Sequence, residues 1–183
     1  MRLLIFTILL IFSIPALTKE DIHITFNNEN AKYWQYISDR TMGGVSDGQA
    51  VLEKDKDLYF ARLTGNVSTK NNGGFIQIRS TLSFANLNYF EKKIKGVRLQ
   101  TRGNGETYHI FIRTSETRSY RDFYYSTFIA GENWETVELP FSQFKHRFSN
   151  NTLNGNDIRT FGIVAYGRDF FSDVSVSDII FYF

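Results

Sequence analysis

The sequence predicts an all-β fold, a sandwich or barrel, on three observations. Apolar and polar residues alternate with a period of two through most of the chain, the pattern of half-buried strands. Turn chemistry recurs at short intervals, as in Asp47-Gly48, Arg102-Gly103-Asn104-Gly105, Ala130-Gly131-Glu132-Asn133 and Asn154-Gly155-Asn156-Asp157. Only two short segments, around Asn30 to Tyr36 and Ser83 to Lys92, fit helical turns.

The N-terminal segment stands outside this fold. Arg2 gives a short positive start, Leu3 to Ile14 is apolar apart from Thr7 and Ser13, and Pro15-Ala16 precede polar Thr18-Lys19-Glu20-Asp21. This is the anatomy of a signal peptide over residues 1–18. The run is shorter than the roughly 20 apolar residues of a membrane span. The chain is therefore expected to be secreted or periplasmic, touching a membrane only if the segment stays uncleaved. Residues 19–183 are then one domain.

The strands follow in order. Ile22 to Phe26 alternates, and Leu58 to Leu63 is strand-like. Phe75 to Arg79 places Phe75, Gln77 and Arg79 on one face and Ile76 and Ile78 on the other. Val97 to Arg102 points Val97, Leu99 and Thr101 inward, and Arg98, Gln100 and Arg102 outward. Tyr108 to Arg113 buries Ile110 and Ile112 beside Tyr108. Phe123 to Phe128, Thr136 to Leu139, Thr160 to Ala165 and Val174 to Phe183 complete the set.

Composition narrows the function. Eighteen Phe, ten Tyr and two Trp supply a core and leave tyrosines for surfaces. The formal net charge is +2 and evenly spread, without the basic stripe of a nucleic-acid binder. There is no cysteine, which excludes disulfides, thiolate metal sites and a Cys nucleophile. His23, His109 and His146 show no metal-ligand spacing, and His109 is expected to face solvent. Ser46 and Asp39 lack a nucleophile-elbow context, and Asp39 with Glu106 makes only a nominal carboxylate pair. No catalytic residue, cofactor or metal is assigned.

The most informative segment is Ser38-Asp39-Arg40-Thr41-Met42-Gly43-Gly44-Val45-Ser46. It sets a carboxylate, a guanidinium and a hydroxyl around a Gly-Gly pair. A second pair, Asn71-Asn72-Gly73-Gly74, opens the strand at Phe75. Each pair should include a positive φ or a close backbone approach. Two readings stand for Asp39 and Arg40: a displayed pair that grips a ligand, or an internal clamp. In the favoured clamp, Asp39 caps backbone amides and Arg40 or Arg79 pairs with it. Met42, Trp34 and Trp134 are expected in the core.

Five segments together resemble the NADH:ubiquinone oxidoreductase complex I intermediate-associated protein 30 domain family. They are Trp34 with Ser38 to Ser46; Phe60 with Leu63-Thr64-Gly65-Asn66-Val67-Ser68; Asn71 to Arg79; Gly96-Val97-Arg98-Leu99 leading to Arg102, Gly105 and Tyr108; and Trp134 to Phe144. The resemblance implies a galactose-binding-like jelly-roll β-sandwich of two antiparallel sheets. It implies a non-enzymatic binding domain, an assembly-factor or chaperone-like protein that binds a protein partner. Among fold relatives are carbohydrate-binding modules, so a carbohydrate ligand in the cell envelope is the alternative. The chain departs from the family pattern after Phe144, where it reads Lys145-His146-Arg147-Phe148-Ser149 and then an Asn-rich loop. The signal peptide also separates it from mitochondrial relatives, because an exported protein does not meet the matrix arm of complex I.

The motif residues expected to bind or to build the site are Asp39, Arg40, Met42, Gly43, Gly44, Ser46, Asn72, Gly73, Gly74, Arg79, Arg102, Gly105 and Tyr108. Tyr108, Tyr120, Tyr124 and Tyr125 are candidates to stack on sugar rings. Aromatic clustering on one concave face would favour sugar, and a broad exposed apolar patch would favour a protein.

Overall fold

The computed structural model describes residues 21–27, 29–82 and 93–183. The helical reading of Ser83 to Lys92 and the signal peptide lie outside them. Among the described residues, twelve strands form two six-stranded antiparallel sheets. In chain order they are β1 (Ile22–Ile24), β2 (Trp34–Ser38), β3 (Asp47–Asp55), β4 (Leu58–Val67), β5 (Phe75–Thr81) and β6 (Gly96–Gly103). The rest are β7 (Thr107–Thr114), β8 (Tyr124–Ile129), β9 (Glu135–Pro140), β10 (Lys145–His146), β11 (Ile158–Tyr166) and β12 (Phe170–Tyr182).

The first sheet has the order β3-β4-β12-β6-β9, with β1 also on β12. The second has the order β10-β8-β7-β11-β5-β2. The chain crosses repeatedly between them, so neighbours in each sheet are mostly distant in sequence. This is the jelly-roll sandwich.

Alternation explains the core. Ala61, Leu63, Val97, Leu99, Val174, Val176, Ile179 and Phe181 come from the first sheet, and Ile76, Ile78, Tyr108, Ile110, Ile112, Phe161 and Ile163 from the second. The inward set of β12 changes parity between Val176 and Ile179. A register shift between Ser177 and Ile179, with Asp178 at φ 27, inserts the extra residue that makes this possible.

Local readings differ from the structure in three places. Asn30 to Tyr36 holds only a 3-10 turn, Ala31–Tyr33, before β2 begins at Trp34. Asp47-Gly48 is not a turn but the start of β3. Gly48 sits across from Gly65, where a Cβ on Gly48 would lie 2.3 Å from the Thr64 carbonyl oxygen. The two glycines serve close strand approach rather than reversal. Trp34 packs against the core beside Phe26, as expected, but Trp134 does not join it. It covers Phe60 on the outer face of the first sheet, with their rings 5.4 Å apart.

Candidate binding groove

The two Gly-Gly turns meet at one buried carboxylate. Asp39 opens a 3-10 turn, Asp39–Met42, and is fully buried. One carboxylate oxygen accepts the Ser46 amide at 2.9 Å. The other accepts the Ser46 hydroxyl at 2.5 Å, the Gly74 amide at 2.6 Å and the Phe75 amide at 3.2 Å. Burial pushes the Asp39 carboxyl up, but the Ser46 hydroxyl and these amides together outweigh it and hold the carboxyl below its usual range. The glycines are what let the backbone close in. A Cβ on Gly44 would stand 2.3 Å from the Asp39 carboxyl carbon, and one on Gly73 would stand 2.4 Å from its oxygen. Gly43 ends the 3-10 turn at φ 88, and Gly74 has φ 122.

Asp39 is thus an internal clamp that caps backbone amides as expected, but its further partner is the Ser46 hydroxyl rather than Arg40 or Arg79. Arg40 turns outward to Asp47 at 3.3 Å, and its Nε donates to the Ser46 carbonyl. Arg79 makes no contact with Asp39 and instead lines the groove beside the clamp. Met42 is not core: it is 42 % exposed, because the clamp turns the Thr41-Met42 segment away from the sandwich.

The clamp holds up one wall of a groove of about 770 Å³ on the outer face of the second sheet. Thr41, Met42 and Asn71 to Gly73 form that wall, and Tyr120, Arg121 and Arg147 stand among the other lining residues. Strand register lays out the floor. Gln35, Arg79, Gly162, Phe111 and Tyr125 form one cross-strand row, and Ile37, Gln77, Val164, His109 and Thr127 form the next. Gly162 leaves the centre of the first row bare, and the Gln77 amide leans into that gap. Phe111 and Phe123 stack with centroids 3.9 Å apart, and Tyr166 meets Phe111 edge-on at 5.2 Å.

The polar lining is cationic. Arg79, Arg113, Arg121 and Arg147 all line the groove, and among the described residues no Asp or Glu does. Arg113 donates to the Tyr120 carbonyl at 2.7 Å and lies over the Phe123 ring, which Arg147 also covers. Its Nε and Nη1 are buried without a hydrogen-bond partner, and so is the Gln77 Oε1. Burial first, and then nearby Arg79, push the Arg113 guanidinium down to about 10, with Asp122 opposing.

His109 is not solvent-facing as expected. It is packed among Phe111, Tyr125 and Tyr166, and burial, aided by Arg168, lowers its imidazole to about 4.

The structure separates the remaining expected residues. Gly73, Gly74, Asn72, Arg79, Gln77 and Tyr120 gather at or beside the groove. Tyr108 does not, since it is fully buried between the sheets. Its hydroxyl donates to Asn104 Oδ1 at 2.7 Å and accepts the Asp173 amide at 2.9 Å, and burial raises it to about 12. Tyr124 also faces the core. Arg102 lies on the other side of the sandwich, over Phe60 and Trp134, and Arg98 and Gln100 share that face. Gly105 makes a turn at φ 80. Glu106 pairs with Arg168 rather than with Asp39.

Sequence reasoning missed Arg113, Arg121, Arg147, Phe111 and Tyr166 as site residues. Outward alternation flagged Phe111 and Arg113 on β7, but only strand order could place them beside Arg79. Among the described residues, no three His, Asp or Glu side chains gather to hold a metal ion.

Residues 24–172 match the family described as complex I intermediate-associated protein 30 (CIA30). The fold is similar to the family 11 carbohydrate-binding module of the cellulosomal cellulase Lic26A-Cel5E of Clostridium thermocellum. That likeness has a TM-score of 0.70 at 13 % identity and covers 91 % of this chain and 96 % of the module. A Clostridium thermocellum family 11 module in complex with a β-1,3-1,4-mixed-linked tetrasaccharide is similar at a TM-score of 0.67 and 14 % identity, covering 90 % of this chain and 98 % of that one. Among curated proteins, none matches this sequence.

Proposed function

The chain belongs to the complex I intermediate-associated protein 30 family, and we propose that this member is an exported, non-catalytic binding domain that takes carbohydrate in the groove on its second sheet. The observation that carries this reading is the groove's aromatic lining. Half-buried Phe75 and Tyr166 present their rings in a cleft of about 770 Å³, above the buried Phe111–Phe123 stack. Aromatic platforms with a few placed polar groups suit a pyranose ring, whose C–H face stacks while its hydroxyls are read by amides and guanidinia. Gln77, Arg79 and Asn72 supply such groups at the same site. The fold likeness to carbohydrate-binding modules supports the reading, and export would bring the domain to envelope polysaccharides.

Affinity electrophoresis of the purified chain in gels cast with soluble polysaccharides tests it. At least one polysaccharide should retard the chain, and Tyr166→Ala should abolish the retardation while the melt stays cooperative. A chain that migrates freely through every gel refutes the reading. The export part rests on N-terminal sequencing of the native protein, where an intact Met1 would count against it.

A protein partner is the second reading. The family's description supports it, as do exposed Met42 and Tyr120 on the groove rim. Co-purification from the native source, lost on Met42→Asp, is its test.

A further inference from the structure

Resting on the carbohydrate reading above, we propose that the groove takes an acidic sugar, a hydroxylated ring bearing a carboxylate or a sulfate.

Four arginines face one groove, and among the described residues none of Arg79, Arg113, Arg121 and Arg147 has an ion pair. On the first sheet, by contrast, Arg62 has Asp173 and Glu53, and Arg98 has Glu138 and Asp21. Asp122, the acid nearest in influence to Arg113, is engaged at 2.7 Å with His146 Nε2 and also accepts the Arg118 amide. Like charges gathered in a cleft walled by apolar rings focus a positive field, which favours an anion.

The donors in that field are unused. Arg113 keeps Nε and Nη1 buried and unpartnered. A guanidinium forms its strongest hydrogen bonds with ionised oxygens such as those of a carboxylate or sulfate. An anion here would relieve both the burial of Arg113 and its repulsion from Arg79.

A bare anion does not account for the rest of the site. Gln77 is 4 % exposed, lines the groove, and leaves its Oε1 without a donor. That atom asks for a hydroxyl or amide hydrogen. The half-buried rings of Phe75 and Tyr166 in the lining offer the apolar surface that a sugar's C–H face stacks on. Acid group, hydroxyl and C–H face together describe a uronic or sulfated sugar, and a neutral glucan would leave the arginines unanswered.

The experiment is titration of the purified chain with five probes. They are polygalacturonate for carboxylate, dextran sulfate for sulfate, dextran and mixed-linkage β-glucan for neutral sugar, and polyaspartate for charge without a ring. At least one acidic polysaccharide should bind tenfold or more tightly than either neutral one and than polyaspartate. Which of the two acidic probes binds identifies the acid group. Arg79→Gln, which removes a side chain with no hydrogen bond to the described residues, should weaken that binding about tenfold with an unchanged melt. Neutral glucan binding as tightly as the acidic probes overturns the acidic sugar and leaves the carbohydrate reading standing. Equal binding of polyaspartate, or an unaltered affinity in Arg79→Gln, also overturns it. Binding to no polysaccharide ends the carbohydrate reading itself and this inference with it.

Discussion

Arginine stands on the outer faces of both sheets, in different company. On the first sheet, Arg62 gives Asp173 two hydrogen bonds of 2.8 Å, and Arg98 gives Glu138 one of the same length. Arg102 has no acid but lies between Phe60 and Trp134. On the second sheet, Arg79, Arg113, Arg121 and Arg147 line a groove that, among the described residues, no carboxylate enters. On the first sheet Arg62 and Arg98 are met by acids, whereas in the groove Arg113, Arg121 and Arg147 lie over rings but meet no acid among the described residues. The groove leaves charges close together and donors buried without acceptors, which costs stability. A fold tolerates such a cost where function requires it. The first sheet therefore reads as scaffold, and the second as the binding face.

The largest effect should come from removing what holds the groove wall in place. Asp39→Ala deletes the acceptor of three amides and one hydroxyl in a fully buried position. The orphaned donors should lower stability by about 3–5 kcal/mol. Gly44→Val should cost a few kcal/mol, because its Cβ would stand 2.3 Å from the Asp39 carboxyl carbon and the backbone must move. Denaturant melts of both variants measure this. A normal melt for Asp39→Ala would mean that the wall stands without its clamp, and the contrast between the faces would lose its structural basis.

A matched pair of substitutions sets one face directly against the other. Arg62→Gln breaks a two-pronged contact that is partly exposed, and should cost about 1 kcal/mol of stability while leaving polysaccharide binding intact. Arg79→Gln should do the reverse, leaving the melt within about 0.5 kcal/mol. If Arg79→Gln destabilises the fold more than Arg62→Gln, the groove arginines are structural after all.

Much of the fold could be read from alternation, since Ile76, Ile78, Ile110, Ile112, Val97 and Leu99 point inward as the period of two requires. The family likeness was legible in the Gly-Gly turns, whose geometry is local. What alternation could not reveal was which strands lie side by side. Arg79, Phe111 and Tyr125 share a row only because β11 comes between β5 and β7, far from either in sequence. For the same reason Arg102 and Arg79, both outward on their strands, could not be assigned to opposite sides of the sandwich. β3 was hidden because Asp47-Gly48 carries a turn signature while serving as a close strand contact. His109 points outward as expected, yet its neighbours cover it, and burial on an outer face depends on residues that the strand itself does not contain.

The smallest effect concerns that histidine and refines the picture of the second face. His109 sits between Phe111, Tyr125 and Tyr166, with its imidazole lowered from 6.5 to about 4 by burial and then by Arg168. The unfolded chain therefore takes up this proton between pH 6.5 and 4, while the folded chain does not. Proton uptake by the unfolded state favours unfolding, so stability should fall as pH drops through that window. Asp39 works the same way but below its ordinary value of 3.8, so the two contributions separate in pH. Between pH 7 and pH 6 the His109 contribution should amount to about 0.7 kcal/mol. In His109→Gln that slope should vanish, because the amide has no proton to gain. Denaturant melts of both proteins at pH 7, 6 and 5.5 decide it. If the two curves stay parallel, water reaches His109 in the folded state, and the aromatic cluster does not seal this part of the second sheet.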